Sequence, residues 1–177
     1  CGPTGSGKTT LARLADGLYE PLAGSVTVDG APCAPGSVGY AFQRVEDQLF
    51  APTVLEDVAF GPLCRGCGRE EARRRAERAL ARVGLDPARF GPRSPFALSG
   101  GQMRRAALAG VLAPERPYVV FDEPTVGLDA EGVRSFAGLL DGLSGEGVGV
   151  LVVSHDVERL APIADRVVAM EAGTVRE

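Results

Sequence analysis

Residues 2–9 read Gly2-Pro3-Thr4-Gly5-Ser6-Gly7-Lys8-Thr9, a full match to the pattern G-x-x-x-x-G-K-[ST]. The residue types follow from what such a loop does. Glycines let successive backbone N–H groups curl around an anion, and a helix beginning at the loop's end points its positive pole at the same place. A lysine at this position reaches the outer phosphates of a nucleotide, and a threonine hydroxyl after it suits a magnesium ion. With Thr10, this stretch is the candidate phosphate cradle.

Working outward, Leu11, Leu14, Ala15 and Leu18 mark one face of a helix after the loop. Residues Gly24 to Gly30 read as a strand ending in an Asp29-Gly30 turn, and Val38 to Phe42 as a short apolar strand ending at Gln43. Thr53 and Glu56 form a capping-box pattern that opens a helix, which Gly61-Pro62 is expected to close. A helix from Arg69 to Val83 ends at Gly84. Ser99 and Gln102 repeat the capping-box pattern, starting an Ala/Leu-rich helix that stops before Pro114. Beyond it come a strand (Tyr118 to Phe121), a helix (Ala130 to Leu143), a strand (Val148 to Val153), a further helix and a strand at Arg166 to Met170. Buried strands alternating with helices predict an α/β fold with a mostly parallel sheet. Residues 44–113 carry little strand signal and read as a helical subdomain inserted in a single domain spanning 1–177. The chain opens at a loop that ordinarily follows a buried strand, so it reads as a domain truncated at its N-terminus.

Ligands of open parallel sheets sit beyond the carboxyl ends of the strands. Three strands here end in polar residues suited to a magnesium-bound nucleotide: one at Gln43, one at Asp122-Glu123, one at Ser154-His155. Asp122 offers hard oxygens to Mg²⁺, and Glu123 can orient and polarise an attacking water. His155, the chain's single histidine, can reach a terminal phosphate from its strand end.

Leu98-Ser99-Gly100-Gly101-Gln102 adds a capped helix start with two bare glycines, able to present N–H groups and a hydroxyl to a phosphate. In this order, these motifs resemble the ATP-binding-cassette (ABC) family. By that resemblance Gly2 to Thr9 correspond to Walker A, Gln43 to the Q-loop, Leu98 to Gln102 to the signature, Val119 to Glu123 to Walker B, Gly127-Leu128-Asp129 to the D-loop and His155 to the switch histidine. The resemblance implies a P-loop NTPase fold with an antiparallel β-hairpin region. ATP and Mg²⁺ are the implied ligands, with Thr9, Gln43 and Asp122 at the metal and Glu123, Gln43 and His155 in catalysis. Two subunits, identical or related, would pair head to tail. Lys8 of one would then face Ser99 and Gly101 of the other across each ATP, with Asp129 beside them.

Within the family, Glu46-Asp47-Gln48-Leu49-Phe50-Ala51-Pro52-Thr53-Val54, the stretch Glu56 to Pro62 and the helix from Gln102 to Leu112 look like the energy-coupling factor (ECF) transporter ATPases. These power uptake of vitamins or of transition-metal ions such as cobalt and nickel. The implied partners are a transmembrane coupling subunit, facing Gln43 to Phe50, and a substrate-binding membrane subunit. The implied location is the cytoplasmic face of the cell membrane. The aromatic residue that would stack on adenine upstream of Walker A is not in this sequence.

Composition bounds the alternatives. The 177 residues are 45% hydrophobic and 24% charged with net charge −4, which suits a globular domain and leans away from a nucleic-acid partner. The arginine-rich run from Arg69 to Arg82 interleaves with Glu70, Glu71 and Glu77 and reads as a solvated helix face. Cys64 and Cys67 have zinc-like spacing without a second pair to complete a site. Rival readings are an ATPase of another ABC transporter type, a DNA-repair or translation cassette, and an inactive fragment.

Overall fold

The structure, a computed structural model, describes residues 1–44 and 48–176. Glu46 and Asp47 of the ECF-like stretch lie outside the described residues. The chain forms two compact units, one of Cys1–Tyr40 with Pro117–Glu177, the other of Ala41–Arg116.

The first unit is built on β3 (Gly39–Ala41, its first two residues), β4 (Tyr118–Asp122) and β5 (Gly149–Val153), in sheet order β3-β4-β5. β4 and β5 run parallel, with Tyr118 opposite Gly149 and Asp122 opposite Val153. Val119, Val120 and Phe121 are all buried, as expected of a strand covered on both faces. The helix α6 (Ala130–Gly145) presses Phe136 edge-on against Phe121, ring centroids 5.2 Å apart. Helix α1 (Lys8–Ala15) packs against β4 and β5. It ends in a Schellman motif: Leu18 N–H donates to Arg13 C=O, Gly17 N–H donates to Leu14 C=O, and Gly17 takes φ 75°.

Around this core lie two hairpins. β1 (Thr27–Val28) and β2 (Ala31–Pro32) pair antiparallel through Asp29 and Gly30, whose φ of 51° and 77° make the left-handed turn that suits a two-residue hairpin. The strand over Gly24 to Gly30 thus shrinks to two residues. The expected strand at Arg166 to Met170 is also corrected. β6 (Ala169–Glu171) pairs antiparallel with β7 (Thr174–Arg176), because Ala172 and Gly173, at φ 48° and 79°, turn the chain straight back. Cys1 lies beside β6: its nitrogen donates to Val168 C=O and Met170 N–H donates to Cys1 C=O, the pattern of a parallel bridge opposite Ala169. The helix after β5 is a single turn, α7 (Val157–Leu160), continued by a 3₁₀ turn at Ala161–Ile163.

The second unit is helical. Helices α2 (Val54–Cys64), α3 (Arg69–Arg82) and α5 (Gly100–Leu112) pack on one another, with the short α4 (Pro87–Phe90) and a 3₁₀ turn at Pro95–Ala97 beside them. Val54, Val58, Ala76, Leu80, Ala106 and Ala109 are fully buried there. Helix α2 does not close at Gly61-Pro62, as its residue types suggest; it runs to Cys64, with Pro62 inside it and buried. Gly61 serves close packing instead, since a Cβ at that position would lie 2.7 Å from Pro114 Cγ. The stop comes from Gly66, φ 81°, in a second Schellman motif: Gly66 N–H donates to Leu63 C=O and Cys67 N–H donates to Pro62 C=O. Gly84 ends α3 in the same way, with Leu85 N–H donating to Leu80 C=O. The arginines of α3 pair with their own helix, Arg74 with Glu70 and Glu71, Arg75 with Glu71, and also reach Glu115 from Arg75 (3.2 Å) and Arg78 (2.8 Å). They are a solvated, self-neutralised surface. All four cysteines are free.

Candidate nucleotide-binding site

The loop of residues 2–7 is shaped by its glycines. Gly2, Gly5 and Gly7 adopt φ of 142°, 81° and 96°, in a half of conformational space that side-chain-bearing residues rarely enter. Gly7 leads directly into α1, whose first residue is Lys8 and whose first turn contains Thr9 and Thr10. Ser6 is buried, while Pro3, Thr4 and Gly5 are exposed at the rim. Lys8 folds back over the loop. Its ammonium donates to Gly2 C=O (2.8 Å), Pro3 C=O (2.8 Å) and Ser6 Oγ (3.3 Å). A positive charge is therefore held at the loop, beside a helix N-terminus that carries no side-chain cap.

The carboxyl end of β4 meets the start of α1. Thr9 Oγ1 donates to Asp122 Oδ1 at 3.2 Å. The second oxygen, Asp122 Oδ2, accepts from Tyr40 Oη at 3.0 Å in a buried contact. Asp122 is 3% exposed, so these two donors matter for a carboxylate that burial would otherwise disfavour. Burial, then the adjacent Asp122 charge, raises the Tyr40 phenol well above its ordinary range, which keeps it protonated and able to donate. The pair of hard oxygens on Thr9 and Asp122 fits a magnesium ion, which uses few protein ligands alongside phosphate oxygens and water.

Glu123 follows in an unusual backbone state. Its φ is 51°, a left-handed conformation that costs a side-chain-bearing residue about 1–2 kcal/mol. Its N–H donates to Val153 C=O at 2.8 Å, prolonging the β4–β5 ladder by one step, while its C=O accepts from Val126 N–H at 3.3 Å. The backbone is thus clamped at both sides, and the side chain is 13% exposed. His155 Nδ1 comes within 2.9 Å of Glu123 Oε2, yet this buried oxygen has no hydrogen-bond partner among the described residues. The contact is one of proximity without hydrogen-bond direction. It is also weak in solvent terms, because the imidazole is 69% exposed.

Asp129, the last residue of the sequence motif 127–129, caps α6 by accepting from Gly132 N–H at 2.8 Å. In the second unit Gln43 is exposed in a bend after β3, and Gln48 Oε1 accepts from Phe42 N–H at 3.2 Å. Ser99 and Gln102 make both halves of the capping box: Ser99 Oγ accepts from Gln102 N–H and Gln102 Oε1 accepts from Ser99 N–H. Gly100 and Gly101 follow, and among the described residues a Cβ added at either would meet nothing within 4 Å. Packing within the chain therefore does not require glycine there.

The profile of the family described as ABC transporter matches residues 1–126. The chain belongs to the ABC transporter family. An energy-coupling factor transporter ATP-binding protein, EcfA2, of Symbiobacterium thermophilum is 49% identical over 98% of this chain and 63% of its own length. The chain thus spans less than two thirds of that relative. Among solved ABC structures, cbiO1 from Clostridium perfringens, described as part of the transporter complex cbiONQ, superposes with a TM-score of 0.86 at 32% identity, covering 99% of this chain and 73% of that one. The cassette MJ0796, in a dimeric post-hydrolysis state bound to ADP and Pi, superposes with a TM-score of 0.87 at 31% identity over 99% of this chain and 81% of that one. The expected P-loop α/β fold is the fold observed.

Of the residues singled out in the sequence, the first unit brings together the loop, Lys8, Thr9 and Asp122, and it pairs Glu123 with His155. Tyr40 was not among them. An aromatic in a buried strand reads as core, and nothing in sequence spacing says that its hydroxyl ends on Asp122. Asp57 was also missed: it is buried, and its Oδ2 accepts from Phe50 N–H (2.8 Å) and Ala51 N–H (2.7 Å), fixing the turn before α2.

Proposed function

We propose that this chain is the ATP-binding and ATP-hydrolysing subunit of an ECF-type ABC importer of vitamins or transition-metal ions. The observation that carries the reading is Glu123, whose buried Oε2 has no hydrogen bond among the described residues, clamped one residue after the Thr9–Asp122 oxygen pair. In the proposed mechanism the loop's N–H groups and Lys8 bind the phosphates, and Thr9 and Asp122 hold Mg²⁺. Magnesium, when bound, neutralises phosphate charge. Glu123 orients a water and accepts its proton as the water's oxygen attacks the γ-phosphorus, the bond from that phosphorus to the β–γ bridging oxygen breaks and ADP leaves with that oxygen, while His155 supports the terminal phosphate. The Lys8 ammonium exchanges its contacts with Gly2 and Pro3 carbonyls for phosphate oxygens.

The open space at Gly100 and Gly101 favours an approaching ligand from a second subunit, as in the head-to-tail pairing of the family. That subunit is either another copy or a related chain, and Asp129 lies in the same pairing. By the family resemblance, Gln43 is assigned a part in holding the metal and the attacking water. The exposed Phe50 and Phe60, stacked edge-on with centroids 4.8 Å apart, offer an apolar contact to a transmembrane coupling subunit; a separate membrane subunit selects the solute. Among the described residues, no helix is long and apolar enough to cross a membrane. The placement proposed is therefore peripheral, on the cytoplasmic face. Phosphate release from ATP should require Mg²⁺ and vanish in Lys8→Ala; release that persists in EDTA or in Lys8→Ala would refute the assignment.

A further inference from the structure

We infer that Tyr40 is a positioning residue for magnesium: its hydroxyl fixes the Asp122 carboxylate so that Oδ1 faces Thr9. The inference rests on the nucleotide-site reading above and concerns a residue to which that reading assigns no role.

The geometry is a relay of two hydrogen bonds across one carboxylate. Thr9 Oγ1 donates to Oδ1 (3.2 Å) and Tyr40 Oη donates to Oδ2 (3.0 Å). A carboxylate can rotate about its terminal torsion, which is broad and roughly two-fold. Thr9 alone would donate to either oxygen and leave that torsion loosely set. A second donor on the far oxygen selects one orientation, and both Tyr40 and Asp122 are buried, at 8% and 3% exposed, so water cannot take its place. Tyr40 is itself held by neighbours. Its strand β3 lies beside β4 in the sheet, and Arg13, on α1, lies near it while donating to Tyr19 at 2.7 Å. The donor thus belongs to the scaffold, while Thr9 belongs to the loop-helix junction that responds to the nucleotide. Metal sites depend on such outer partners, whose loss typically costs about 10- to 100-fold in metal affinity.

The test is Tyr40→Phe, which removes one oxygen and keeps the buried ring. ATP affinity is measured calorimetrically on the full chain in EDTA and across a magnesium titration. The expected result is an ATP affinity in EDTA within about twofold of the wild type, with the magnesium concentration for half-maximal enhancement raised about tenfold. Tyr40→His, which restores a ring N–H donor, should recover part of that loss. In an Asp122→Asn background Tyr40→Phe should add no further effect, because its target carboxylate is gone. The EDTA affinity also reports folding, and if Tyr40→Phe fails that check the comparison passes to Tyr40→His against the wild type. An unchanged magnesium dependence in a folded Tyr40→Phe, or a full additional loss in the Asp122→Asn background, would overturn the inference and leave the nucleotide site standing. A wild-type protein that binds ATP in neither condition would overturn both.

Discussion

Glu123→Gln exchanges one carboxylate oxygen for an amide group at a place where the wild-type residue is poorly accommodated. Three effects compete. The buried Oε2 lacks a hydrogen bond, and leaving such a group unsatisfied costs about 1–3 kcal/mol, more when it is charged. Against this, the substitution forfeits the contact with His155, but a contact to a side chain 69% exposed contributes only about 0–1 kcal/mol, whichever protonation state it has. The amide remains a buried polar group, so part of the penalty stays. The balance is a gain of about 1 kcal/mol, which for a chain of 177 residues raises Tm by about 2–4 °C. Glu123→Gly goes further in one respect, since it also releases the left-handed backbone at φ 51°, about 1–2 kcal/mol, partly offset by glycine's extra chain entropy of about 0.5–1 kcal/mol. Thermal unfolding at neutral pH, without nucleotide or magnesium, reads both. Melting below the wild type in either variant would show that Glu123 is stabilised by its surroundings, and the argument for a catalytically poised carboxylate would lose its footing.

Gly17→Ala should destabilise by about 1–3 kcal/mol in urea unfolding: φ is 75°, and a Cβ would lie 2.6 Å from the Ala34 carbonyl oxygen. A change under about 0.5 kcal/mol would contradict the helix-stop geometry. Ser99→Ala should cost about 1 kcal/mol of stability through the lost cap and, beyond that, most of the ATP turnover; a loss confined to stability would remove Ser99 from nucleotide contact. Phe50→Ala, at a side chain 60% exposed, should shift stability by less than about 1 kcal/mol while reducing retention on the membrane subunits in a pull-down. Undiminished retention would count against that docking face.

Much of this fold was legible because its signals are local. The capping box at Ser99/Gln102 appears where expected, as does the Thr53 cap on Glu56 N–H, although the Glu56 carboxylate accepts from the Thr53 hydroxyl instead of its backbone N–H. The glycine stop of α3 and the apolar run of β4 before Asp122 are also as expected. What sequence reading missed depends on distant neighbours. Gly61-Pro62 reads as a terminator, yet Gly61 makes room for Pro114, which lies 53 positions later in the chain, and the helix continues to Cys64, with Gly66 making the stop. Arg166 to Met170 reads as a strand, but β6 begins only at Ala169, and the turn at Ala172-Gly173 makes it half of a hairpin. The site divides in the same way. Motif spacing points to the loop, Asp122 and Glu123, whereas the Tyr40 hydrogen bond arises only once β3 and β4 are neighbours in the sheet.

The central claim, hydrolysis of ATP with Glu123 as the base, is tested most directly by measuring ATP affinity and magnesium-dependent phosphate release side by side in wild type and Glu123→Gln. The account predicts comparable ATP affinity and turnover reduced by about 10²-fold or more. Turnover within about twofold of the wild type, at equal affinity, would contradict it.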